Sequence, residues 1–105
     1  MDDEELKQQI DAYVARVWDD VVDDIGALVA VRSVEDPAAA APGAPWGPES
    51  RRALDTALGI AERLGLATHD CAGYLGYADL PGASETQIAT IAHTDIVPEG
   101  TGWSF

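Results

Sequence analysis

Residues Gln87 to Ala92 read Gln-Ile-Ala-Thr-Ile-Ala and place apolar side chains on both faces of any strand they form. A strand of that kind belongs inside a sheet, covered above and below and paired along its edges. With the helical segments before it, such a strand argues for an α/β or α+β domain, or the start of one. The run then delivers His93 and Asp95 into a turn closed by Pro98, Gly100 and Gly102. The tip of a strand is where α/β sheets usually hold their ligands.

The preceding residues supply candidate neighbours. Leu66 to Asp70 and Tyr74 to Leu80 read as two shorter strands, and Pro81-Gly82-Ala83-Ser84 makes the turn into the third. Helices come first. Leu6, Ile10, Tyr13, Val14, Val17, Trp18, Val21, Ile25, Leu28 and Val29 recur at steps of three and four. They predict one long helix over the first thirty residues, or two joined end to end. Asp11, Asp19, Asp20, Asp23 and Asp24 occupy the opposite face. Asp2 to Glu5 sit where the helix dipole favours acids, and Arg32 lies near the end that favours a cation. The stripe reads as a packing face against the rest of a domain; a coiled-coil seam is the alternative.

Asp36 to Pro48 is broken by prolines and glycines and reads as a loop, with Trp46 either packing it down or lining a pocket. A second helix is predicted from Pro48 to Leu64. Pro48 suits its first turn, and Ala53, Leu54, Ala57, Leu58, Ala61 and Leu64 form its apolar side. Gly65 is its expected stop. The expected fold class is therefore α/β: two helices and then a three-strand meander, with the sheet incomplete. With no further strands to flank the third, the isolated chain is expected to be marginally folded or prone to aggregate.

Charge narrows the partners. Six basic against 19 acidic side chains give a net charge of −13 over 105 residues. Such a surface repels phosphate backbones and anionic lipid heads, so neither nucleic acid nor a membrane is expected as a partner. Met1-Asp2-Asp3-Glu4-Glu5 lacks the basic and apolar blocks of a secretory signal. No apolar run approaches the ~20 residues that span a bilayer. The single cysteine, Cys71, excludes an internal disulfide and reads as a small buried hydrophobe. A cytoplasmic location is the expectation.

A neutral imidazole is a good zinc ligand, and a carboxylate two residues on can hold the ring by its other nitrogen. His93 and Asp95 have that spacing. A His-x-Asp tripeptide alone fits equally a surface histidine paired with its neighbour. His69 reads as a surface residue, and Glu99 as a solvated glutamate of the turn. The longer string Ala92-His93-Thr94-Asp95-Ile96-Val97-Pro98, followed by Gly100, Gly102 and Trp103, resembles the first metal motif of the M-twenty metallopeptidases, a dizinc family. Pro45-Trp46-Gly47-Pro48, the helix from Arg51 to Gly65, and Gly73-Tyr74 with Gly76 resemble its bacterial aminoacyl-dipeptidase branch, the PepV type. The likeness runs from Pro45 to Phe105.

That resemblance implies a zinc-dependent dipeptidase acting on small peptides. His93 would be a ligand of one of two zinc ions, and Asp95 the catalytic-site carboxylate that orients it. It also implies that residues 1–105 are the amino-terminal part of a catalytic domain. The bridging carboxylate, the general base, the remaining ligands and a lid domain would lie beyond Phe105. This chain alone is then expected to be inactive. Two other readings remain: an N-acyl-amino-acid deacylase of the same family, and a small acidic protein that binds a partner through its first helix.

Overall fold

A computed structural model describes residues 1–104. Phe105, the last residue of the stretch that carries the resemblance, lies outside the described residues. Two helices and a two-stranded antiparallel sheet succeed one another: α1 (Asp3–Val29), α2 (Pro48–Arg63), β1 (Ala67–Asp70) and β2 (Gly76–Asp79). The α/β class and the incomplete sheet are as expected.

α1 is a single helix whose start is fixed locally. The Asp2 carboxylate accepts the Glu5 N–H at 2.9 Å, and the Glu5 carboxylate accepts the Asp2 N–H at 3.2 Å. This reciprocal pair satisfies two of the N–H groups that a helix end leaves without partners. α1 stops at Val29, so Arg32 lies outside it and α1 has no basic residue in its last turn. α2 begins with Pro48 at its first turn and ends as Gly65 turns left-handed, φ 87°. There the Leu66 N–H bonds Ala61 O and the Gly65 N–H bonds Glu62 O, the paired bonds of a Schellman stop.

β1 and β2 pair from Ala67 opposite Asp79 to Asp70 opposite Gly76. β2 begins later than the sequence pattern predicts because residues 71–75 turn. Ala72 and Gly73 both have positive φ, 55° and 79°, and the Tyr74 N–H bonds Cys71 O at 3.0 Å. This is a type I′ turn, whose twist matches that of the strands. Cys71 is exposed in it rather than buried. The hairpin lies on α2. A Cβ on Gly76 would fall within 2.9 Å of Leu58 and 3.0 Å of Leu54, so the strand approaches the helix as closely as a glycine allows.

Two expectations fail, and for one reason. Residues 87–92 do not form the third strand: Ile88 and Ile91 are 94 % and 98 % exposed. A strand exists by hydrogen-bonding to neighbours, and among the described residues none lies beside this one. The α1 stripe does not serve as a packing face either, since Trp18, Ile25 and Ile10 are all more than half exposed. Nor is there a shared core: Val31 and Ala53 are the buried apolar residues among those described. The exposed area is 8469 Å², against about 5,700 Å² for a compact chain of this mass. The radius of gyration is 17.0 Å, against about 13 Å for a compact domain of this length. The pattern states which surfaces want cover, and the described residues do not supply it.

Each of the six basic side chains is already engaged. Lys7 pairs with Asp11, Arg32 with Glu99, Arg51 with Asp55 and Asp70, Arg52 with Glu49, and Arg63 with Asp24. Arg16 lies over the Tyr13 ring at 5.1 Å. No helix among the described residues is long and apolar enough to cross a membrane.

Candidate functional site

Two clusters carry the residues singled out from the sequence. The first is the turn after residues 87–92. It is placed by the chain leaving α1: Val34 and Ile96 form an isolated parallel bridge, and the Ile96 N–H bonds Ser33 O at 3.2 Å. Val31 and Ser33, 6 % and 3 % exposed, make this the most buried stretch of the α1 exit. A shallow hollow of about 300 Å³ lies between Leu28, Val29, Val31 and Ser33 on one wall and residues 93–96 on the other.

Within the turn, His93 Nδ1 is 2.8 Å from the backbone oxygen of Asp95 and 3.3 Å from its Oδ1. The carbonyl is the nearer acceptor, so the main chain braces the ring and the carboxylate stands alongside. A carbonyl can only accept, which puts the proton on Nδ1 and leaves Nε2 with its lone pair. That is the tautomer a metal ligand needs when its far nitrogen does the binding. Both side chains are open to solvent, 82 % for His93 and 64 % for Asp95. One nitrogen donor does not hold zinc, which takes four ligands. Among the described residues no group of three His, Cys, Asp or Glu side chains comes together to add the others. The residues present fit one corner of a metal site and not the whole.

Glu99 is exposed, as expected of a turn glutamate, but it is also paired. Its Oε1 accepts a bond from Arg32 Nε at 3.1 Å, and its backbone oxygen accepts the Trp103 indole N–H. Its own backbone N–H and the Arg32 guanidinium hold its carboxyl below the usual range. His69 is a surface residue, stacked on Tyr77 at 4.5 Å with Asp79 at 3.7 Å.

The second cluster gathers the upstream residues that carry the resemblance. The Trp46 indole N–H donates to Tyr74 O at 3.0 Å, and the two rings meet edge to face at 5.6 Å. Trp46 therefore packs its loop onto the hairpin turn. Arg51, in the first turn of α2, bonds Gly43 O at 3.1 Å with one nitrogen. With the other it reaches Asp55 at 2.8 Å and Asp70. Asp70 in turn accepts the Gly73 N–H at 2.8 Å. The Arg51 bond, then the Gly73 N–H, hold the Asp70 carboxyl below its usual range, and Asp70 and Asp55 raise Arg51. A Cβ on Gly73 would sit 2.0 Å from Gly43 O, so only glycine lets the loop approach. Loop, helix start and hairpin turn are thus clamped at one point. The motif residues here hold structure together and face no hollow shared with His93. Periodicity could not reveal the clamp, since the contacts that join its three segments span eight to 28 residues.

Over 90 residues, 86 % of this chain, the sequence is 39 % identical to proteins of Staphylococcus aureus strains USA300, COL and N315, each bearing the name "putative dipeptidase". The match covers 19 % of those proteins, so the chain spans about a fifth of the length of the curated relatives it matches. No family model matches the chain.

Proposed function

We propose that this chain is the amino-terminal segment of a zinc-dependent dipeptidase of the M-twenty type, with His93 as a metal ligand and Asp95 as its brace. The observation that carries the reading is the His93 ring, fixed through Nδ1 with Nε2 left open, at the mouth of a hollow. The similarity to dipeptidase-named proteins supports it, and so does the excess of uncovered surface, which suits a piece of a larger body. When two zinc ions are bound, the chemistry they supply is activation of water and polarisation of a peptide carbonyl. What this chain contributes is narrower. The Asp95 carbonyl keeps the proton on Nδ1, and Leu28, Val29 and Val31 supply the apolar side of the hollow that His93 borders. The relatives' name favours a dipeptide over an N-acyl amino acid as substrate.

The test uses the complete polypeptide that contains this segment. It is assayed on dipeptides and on N-acetyl amino acids, with and without a chelator. Expected are chelator-sensitive cleavage of dipeptides and its loss in His93→Ala. Full activity in that variant would refute the ligand role, and a preference for the acetylated substrates would move the reading to a deacylase. Unchanged hydrolysis in His93→Ala, with loss of partner binding on changing Val21 or Ile25, would favour the interaction reading that the exposed α1 stripe invites.

A further inference from the structure

The His93 turn is tethered at two places downstream of the ring. The first is the Ile96–Ser33 backbone bond. The second is Glu99, whose side chain reaches Arg32 across 67 positions of sequence while its carbonyl holds the Trp103 indole. Both tethers end on the same short stretch, Arg32 and Ser33, next to the buried Val31. Residues 93–99 therefore form a bow whose far end is pinned by Glu99, and the ring lies at its near end. With the far end released, the Asp95 carbonyl is held against Nδ1 only from the Ile96 side, by the Ser33 bond and the Val34 bridge.

We infer that Glu99 is a positioning residue, acting through Arg32 and the turn to keep the His93 donor nitrogen facing outward. This rests on the reading of His93 as a metal ligand, but it concerns ring geometry alone and can be tested without metal. Glu99 itself touches no reacting group. Its carboxylate supplies the charge that Arg32 needs, and its backbone oxygen would persist in a glutamine variant.

The experiment is nitrogen NMR of the His93 imidazole in the complete polypeptide that contains this segment, stripped of metal and at a pH where the ring is neutral, together with amide exchange of Ile96. The wild type is expected to show the Nδ1-protonated signature. Glu99→Gln is expected to shift it toward a mixture of tautomers and to speed Ile96 exchange by about two- to fivefold, the range an exposed pair supports. The reversed pair Arg32→Glu with Glu99→Arg should restore both. Exchange within β1 and β2 should stay unchanged, which separates positioning from general stability. Arg32→Gln repeats the first test from the other side. An unaltered ring signature in both single variants would overturn the inference. Loss of hydrolysis on its own bears on the proposed function and leaves this result standing.

Discussion

Gly73→Ala tests the clamp most directly. Gly73 has φ 79°, a region that costs an L residue about 1–2 kcal/mol. Its new Cβ would lie 2.0 Å from Gly43 O and 2.7 Å from Gly43 C, both main-chain atoms. The loop must then retreat by more than an ångström to reach ordinary contact. That retreat breaks the Arg51–Gly43 and Trp46–Tyr74 hydrogen bonds, about 0.5–1.5 kcal/mol each, and the edge-to-face ring pair, of similar size. Together the loss is about 2.5–6.5 kcal/mol, a large part of what a small domain has. The assay is urea unfolding followed by Trp46 fluorescence, in a background carrying Trp18→Phe and Trp103→Phe. Gly59→Ala serves as control. It lies inside α2 with nothing within 4 Å of its Cβ and should stabilise by about 0.5–1 kcal/mol. If Gly73→Ala unfolds within about 0.5 kcal/mol of wild type, the clash argument is wrong.

Acid should release the clamp. Asp70 has a lowered pKa when folded, so its contribution is present above the ordinary aspartate value of about 4 and fades as pH falls through the folded value; Asp70→Asn should flatten the pH dependence of the urea midpoint there. Under the proposed function, Asp95→Asn keeps the main-chain brace on His93, so zinc affinity of the complete polypeptide should fall by about tenfold or less, the mild end for such a partner, measured by chelator competition. Ile25→Lys places a charge on an exposed position of α1 and should change stability by no more than about 0.5 kcal/mol while lowering light scattering. A loss of several kcal/mol would show instead that this face is covered in solution.

Elements held by local rules were legible in the sequence. α2 runs from its proline to the residues before its glycine, and α1 follows its stripe, because capping and period are short-range. The hairpin strands were legible to within two residues at each end. The third strand was not, because a two-faced apolar pattern records a need for neighbours without naming them. At the site, the His93–Asp95 contact followed from spacing, but the identity of the bracing atom did not: a carbonyl and a carboxylate two residues on are both within reach. The Arg32–Glu99 and Arg51–Asp70 pairs were not legible, because ion pairs between distant residues leave no period. Cys71 was read as buried from composition, whereas the turn that holds it is decided by Ala72 and Gly73 beside it.

The way α1 is attached carries a consequence for motion. Its side chains that are not fully exposed are Val17, Asp24 and Leu28, and Asp24 bonds Arg63 of α2. Residues 3–16 are exposed throughout, and the side-chain pairings described for them are local: the Asp2–Glu5 cap, the Lys7–Asp11 pair and Arg16 over the Tyr13 ring. A free helical arm of that length is marginal in water. The arm should unwind and rewind on its own clock, offering proteases their first cut while the clamped hairpin remains intact.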